Sequence, residues 1–188
     1  MAQNEHLKLI NEAIEKQDIS IWNRWRQEHP DIRPDLSGID LRRTNLKKAA
    51  LQGVILRDAN LRGTDLSWAD LSGADLNRTN IVRTNLTAAN LTEANFSGAN
   101  LSEANLSEAN LSKANLSDAL LMGALLLGAD LNKANLEDNV HALMPSQIKT
   151  ARSWETAYYS KDILEGLGLP PDHNEKLRKV LEERLPQA

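Results

Sequence analysis

From residue 36 to residue 136 a large apolar residue returns at every fifth position without a phase slip. Leucine fills every one of these places except two, which hold Ile81 and Phe96. The run contains 21 consecutive five-residue units. Two positions before each central residue lies a small or apolar one, alanine in 14 of the 21 units, and one position before it lies Asp or Asn in 17. A fixed internal period of this kind outranks every other signal in the chain.

A period of five suits neither ordinary element. On an α-helix each step of five advances about 140°, so the leucines would spiral around the axis. On a strand an odd step sends successive leucines to opposite faces. The pattern instead predicts a chain that turns a corner every five residues in a constant sense. Each short side then points its central residue and the preceding small one into a shared interior. Stacked coils of this kind pair backbone to backbone about 4.8 Å apart, as in a β-solenoid. The Asp or Asn before each leucine suits corners, where such side chains bond neighbouring backbone groups.

The segments LSGADL, LTEANF, LSEANL and LSKANL carry an A(N/D)LXX signature that closely resembles the pentapeptide-repeat family. The resemblance spans residues 34–138. It implies a right-handed quadrilateral β-helix with four units per coil, hence about five coils and a rod roughly 25 Å long. The stretch IWNRWRQEHPDIRPDLSGIDL resembles the lead-in of cyanobacterial members, and LMPSQIKTARSWETAYYSKDILEGLGLP is similar to a tail that follows such repeats.

Outside the repeat the periodicity becomes helical. Residues 1–33 read as an N-terminal helical cap: Leu7, Ile10, Ala13 and Ile14 share one helix face, Asp18 is positioned as an N-cap, and Ile21, Trp22 and Trp25 follow. Pro30 and Pro34 end the helical stretch. Solenoids need covered ends, because an open end exposes strand edges and apolar side chains. Trp22 and Trp25 are the expected anchors of that cover, which also has the means to recruit a partner. Residues 139–188 read as a C-terminal helical segment. Pro145 and Ser146 open a helix that buries Ile148, Ala151, Trp154 and Tyr158. Ser160 caps a short helix ending at Gly166 or Gly168, and NEKLRKVLEERL forms a last helix with Leu177, Val180, Leu181 and Leu185 on one side.

Two places on the repeat depart from the common pattern. With units twenty residues apart stacked on one face, Arg42, Arg43, Arg62 and Arg83 share a face in the N-terminal half. Lys47, Lys48 and Trp68 share the next, with Lys48 within reach of the Trp68 ring. Basic side chains placed outward keep an edge-rich protein soluble. Centred on an outward tryptophan, the same residues also form a docking patch for an acidic protein surface. Further along, in LSDALLMGALLLGAD, Leu120 and Leu125 replace Asp or Asn, and Met122 and Leu127 take outward places usually held by Ser or Thr. Such an apolar patch does not stay bare in water. Either the C-terminal helices fold back over it, with Trp154 and Tyr158 against Met122 and Leu127, or it is a homodimer or partner interface.

Composition narrows the function classes. The chain has no cysteine, so no disulfide, thiolate metal site or cysteine nucleophile exists. The four histidines (His6, His29, His141, His173) lie outside the repeat with no metal-ligand spacing, and no phosphate loop or GxSxG is present. Asp65, Asp70 and Asp75 fall on successive sides of a coil and form no catalytic pair. We therefore expect no enzyme activity, catalytic residue, metal, cofactor or small-molecule substrate. The start of the chain lacks an apolar leader core and no stretch is long enough to cross a membrane, so the expected compartment is the cytoplasm.

The net charge of −4 and a repeat with 10 Lys/Arg against 13 Asp/Glu point away from nucleic acid. The expected function is a rigid rod, monomeric or a weak homodimer, presenting its side faces to a partner protein. The alternative is suggested by the family alone: some members imitate DNA, bind gyrase and confer quinolone resistance. That activity goes with a strongly acidic rod, which this chain does not have.

Overall fold

A computed structural model describes residues 3–138 and 143–183. Within the repeat every unit makes the same corner. The central residue accepts a hydrogen bond at its carbonyl from the amide three residues on, as from Ala49 to Leu46 at 3.0 Å. The second residue after it has a positive φ in all 21 units. Together these are the marks of a type II turn. Only seven of the 21 positive-φ positions are glycine, so the other fourteen adopt the left-handed region with a side chain attached. In thirteen of those fourteen the side chain of the Asp or Asn before the central residue ties the corner; the exception is Asp58, whose unit has Ile55 there. In all 17 units that have such an Asp or Asn, its Oδ1 accepts the amide hydrogen two residues on, at 2.9 to 3.3 Å.

Parallel bridges then join residues twenty apart, from Asp35 with Ile55 through Asn115 with Asn135, so four units close one coil of a β-solenoid. The central leucines and preceding alanines fill the interior and are essentially solvent-free. Where threonine replaces alanine the polar group is satisfied: Thr64, Thr79 and Thr84 donate to the carbonyls of Leu41, Leu56 and Leu61 at 2.6 to 2.8 Å. Corner amides also climb the stack, with Asn135 donating to Asn115, Asn115 to Asn95 and Asn95 to Asp75.

Two helices, α1 (Gln3–Glu15) and α2 (Ser20–Glu28), precede the first coil. Asp18 lies one residue before the N-cap position, and its carboxylate accepts from the Ser20 amide at 3.0 Å. The helices supply side-chain partners to the backbone edge of the first coil. Trp22 Nε1 donates to Ala50 O at 2.8 Å. Asn23 accepts from the Ala50 amide and donates to Lys48 O, and Arg26 donates to Gln52 O and Ile32 O. Trp22 is fully buried, while Trp25 is partly buried between His6 and His29.

Past the repeat the structure departs from the helix expected between Pro145 and Tyr158. Only α3 (Pro145–Ile148) is helical there, followed by a 3-10 turn at Trp154–Thr156 and a strand, β2 (Tyr158–Tyr159), paired in parallel with β1 (Asn135–Leu136). Asp130 also bridges Arg152. The open backbone of the last repeat coil recruits this segment as a further strand layer, and those hydrogen bonds outweigh its helical spacing. Ile148, Ala151, Ala157 and Tyr159 are the residues it buries. Helix α4 (Lys161–Leu167) has Ser160 as N-cap residue and Gly168 at φ 75° as its C-cap. Helix α5 (His173–Glu183) is tied to the rod by Asn174 and Arg178, which both donate to Glu137 at 2.8 Å. The expected apolar side of this last helix is open at Val180; Leu185 lies outside the described residues, as does His141. Among the described residues no helix is long and apolar enough to cross a membrane.

Candidate interaction surfaces

The twenty-residue register sorts outward side chains into columns. One column carries Arg42 and Arg43, then Arg62, Val82 and Arg83, Ser102 and Glu103, and finally Met122 and Gly123. The adjacent column carries Lys47 and Lys48, Trp68, Thr87 and Ala88, Ser107 and Glu108, then Leu127 and Gly128. Both columns are therefore basic at the N-terminal end and apolar at the other, with glutamates between.

Not all the basic side chains are equivalent. Arg42 grips Asp40 through two nitrogens, a hydrogen bond that holds the carboxyl below its ordinary range and raises the guanidinium further. Arg83 bonds Glu103 one coil on at 2.8 Å, with the same depressing effect on that carboxyl. Among the described residues Arg43, Arg62, Lys47 and Lys48 have no carboxylate within ion-pair distance. Arg43, Lys47 and Lys48 line a groove of about 670 Å³ against Ile14, Gln17 and Ile19 of the N-terminal helical segment. A second recess beside it joins the two lysines to Arg24 and Asn23. Arg43 and the apolar helix residues were legible as separate features of the sequence, but only the docking of α1 and α2 on the first coil makes them one concavity.

Trp68 is exposed, and the stacking of Lys48 over its ring does not occur. The cation–π pairs among the described residues are Lys149 with Trp154 and Arg178 with Tyr158. Both Lys48 and Trp68 occupy positive-φ corner positions. Both side chains are exposed.

The apolar patch is not covered by the C-terminal segment. Leu120, Met122, Leu125 and Leu127 are 41%, 65%, 54% and 67% exposed. Trp154 is half-buried under Lys149, and Tyr158 lies beneath Arg178, while Met122 and Leu127 stay open. The strand pairing of β2 turns Tyr159, not Tyr158, into the core. Tyr159 is 1% exposed, donates its hydroxyl to Trp154 O at 2.8 Å, and burial pushes that hydroxyl's pKa upward. Its signal was present in the sequence as a second aromatic, but helical spacing favoured its neighbour.

His29 and His173 each bond a backbone carbonyl, and no three His, Asp or Glu side chains converge as a metal site among the described residues.

A family model described as pentapeptide repeats matches residues 35–73, 69–107 and 99–138. Among solved structures, the chain is similar to the pentapeptide repeat protein Rfr23 of the cyanobacterium Cyanothece 51142, with 29% identity over 73% of this chain and 97% of that one, at a TM-score of 0.38. It is also similar to the pentapeptide repeat protein alr5209 of Nostoc PCC 7120, with 30% identity over 70% and 96% of the two chains, at a TM-score of 0.43. A third is QnrB1, a plasmid-mediated fluoroquinolone resistance protein, with 15% identity over 79% and 88%, at a TM-score of 0.35. Among curated proteins none matches.

Proposed function

The chain belongs to the pentapeptide-repeat family, and from that premise we propose that it is a non-enzymatic interaction scaffold that docks an acidic segment of a partner protein. In this reading residues 34–138 are a right-handed, four-sided β-helix of about five coils, with the helical segments 1–33 and 139–188 closing its two ends. The helices at the N-terminal end do double duty, because they complete the backbone edge and also form one wall of the basic groove.

One observation carries the proposal: Arg43, Lys47 and Lys48 line a groove whose far wall is Ile14, Gln17 and Ile19, and no carboxylate of the described residues lies within ion-pair distance of them. Cations gathered in a concave site without partners of their own attract and orient an anionic partner. Isoleucines alongside add the apolar contact that a protein segment supplies and a free anion does not. Arg42 and Arg83, already paired, contribute to the field rather than to direct contacts. The alternative of a gyrase-binding DNA mimic requires acidic rows along the rod, whereas these columns present cations through their N-terminal half.

The experiment compares affinity capture by the wild-type chain and by an Arg43→Glu, Lys48→Glu variant, read by quantitative mass spectrometry. A partner of acidic composition, depleted about tenfold or more by the variant and by added salt, is the expected result. Identical recoveries with both proteins would place the partner elsewhere. Gyrase subunits among the proteins that the variant retains would revive the mimic reading.

A further inference from the structure

Leu120 and Leu125 forgo the corner hydrogen bond that Asp or Asn supplies in 17 of the 21 units, yet they remain 41% and 54% exposed. Folding therefore gains neither the corner bond nor full burial from them. A departure at the opposite end has a visible cause. Ala50 also lacks a corner carboxylate or amide, and there α2 docks, with Asn23 and Trp22 bonding the Ala50 backbone. Near Leu125 the C-terminal segment contributes one such bond, from the Gln147 side-chain amide to Ala124 O at 3.2 Å, and it leaves the Leu120 and Leu125 side chains open. Met122 and Leu127 extend the same bare surface across two adjacent columns, and Met144 beyond it is 69% exposed.

We propose that these two columns are a self-complementary interface, in which a second copy of this chain packs antiparallel and seats its Trp68 against Leu125, Leu127 and Gly128. Occupation by a second copy follows from how the columns are polarised. Trp68, Arg62 and the lysines stand at one end, Glu103 and Glu108 in the middle, and the four apolar side chains at the other. A two-fold axis across the rod, placed between the third and fourth coils, brings the second coil of each molecule onto the fifth coil of the other. Trp68 then faces the gap left by Gly128 beside Leu127, and Arg62 faces Met122 next to the row of Glu103. In the middle Val82, Thr87 and Ala88, small and uncharged, meet Ser102, Ser107 and Glu108.

Other pairings of the same columns are worse. A parallel pair sets the basic ends against each other, and like charges in contact oppose association. A pair joined patch to patch, with the axis at the fifth coil, leaves Trp68 in water. The two-fold operation doubles the contacts of Trp68 with Leu125 and Leu127 and of Arg62 with Met122, for a total buried area on the order of 1,000 Å², about the least that a specific interface needs. This pairing does not rest on the acidic-partner reading, since it uses Trp68 and the apolar end and not the groove between the helices and the first coil.

The absence of native cysteine makes the test direct. Trp68→Cys and Leu127→Cys proteins are prepared separately and treated with a short bismaleimide, alone and mixed. The expected result is a covalent dimer in the mixture and none in either sample alone. Sedimentation of the wild-type chain shows a dimer in the micromolar range, weakened about tenfold or more by Trp68→Ala and by Leu127→Ser. Both side chains are exposed, so the far-ultraviolet spectrum and melting of each variant monomer should match wild type. A wild-type chain that stays monomeric up to about 100 μM would overturn the proposal. So would efficient crosslinking of Leu127→Cys by itself, which would mean the patch-to-patch pairing.

Discussion

Tyr158 lies in parallel register with Asn135, and Tyr159 with Leu136. Ala157, Tyr158 and Tyr159 thus occupy the places that Ala134, Asn135 and Leu136 hold one coil earlier, although the five-residue period has already ended. Ala157 and Tyr159 point inward and are buried, as their counterparts are. The strand is held by backbone bonding, with the Tyr158 amide donating to Ala134 O at 2.9 Å.

Tyr159→Ala should therefore behave as a core truncation. Its loss removes a full aromatic ring and the hydroxyl bond to Trp154 O, for a cost of about 3–5 kcal/mol. Tyr158→Ala, which removes a half-exposed ring resting under Arg178, should cost about 1 kcal/mol or less. Chemical denaturation of the two variants measures the contrast, and equal losses would contradict the register.

At the other end, Trp22→Phe separates hydrogen bonding from packing. Phenylalanine keeps most of the buried ring but loses the bond from Nε1 to Ala50 O, an expected loss of about 1 kcal/mol. Trp22→Ala also empties the space between α2 and the first coil, and should cost about 3–5 kcal/mol. A Trp22→Phe variant as unstable as Trp22→Ala would mean that the indole bond, not packing, attaches the helices.

The N-terminal attachment should also respond to pH. His6 is buried, and its Nδ1 accepts the Asp35 amide at 3.3 Å, which requires that nitrogen to be unprotonated. Burial is the largest cause and lowers its pKa below the ordinary 6.5; Asp35 and Glu5 oppose that shift, and Arg26 adds the smallest push in the same direction as burial. The unfolded chain therefore binds a proton that the folded chain resists. This contribution to stability is complete above pH 6.5 and declines as the pH falls from 6.5 toward the lower folded value. Melting followed from pH 7.5 down to 5 should show a decline that His6→Gln flattens, and an unchanged slope in that variant would assign the effect elsewhere.

The repeat was legible from sequence because its physics is local. Each corner is decided by five residues, and the same apolar centre and Asp or Asn before it recur until no other fold accommodates them. The ends were less legible because their structure is decided by what they touch. Ile148, Ala151, Trp154 and Tyr158 satisfy helical spacing, but the exposed backbone of the coil ending at Leu136 captures the segment as a strand. The basic groove escaped for the same reason: Ile14 and Arg43 are 29 residues apart, and only the docking of α1 makes them neighbours. The apolar corner at Leu120 and Leu125 was visible as a break in the pattern. Its cover was misjudged because the sequence cannot show that the C-terminal segment runs onward along the rod axis rather than down its side.

That corner allows a last prediction in which stability and association move in opposite directions. The double substitution Leu120→Asn, Leu125→Asn gives both corners the kind of side chain that accepts an amide hydrogen in the 17 units that carry Asp or Asn. The bridges of Asn100 with Leu120 and of Asn105 with Leu125 show that the backbone already follows the common path. Each asparagine then accepts from Met122 or Leu127 without rearrangement, for a gain of about 0.5–1 kcal/mol per site. It also removes apolar surface that water now meets. Melting at low protein concentration, where the chain is monomeric, should therefore shift upward. Sedimentation at high concentration should show weaker self-association than wild type, because Leu125 no longer meets Trp68. A lower melting temperature at low concentration would mean that the two leucines are packed within one chain, and would remove the reason for assigning them to an interface.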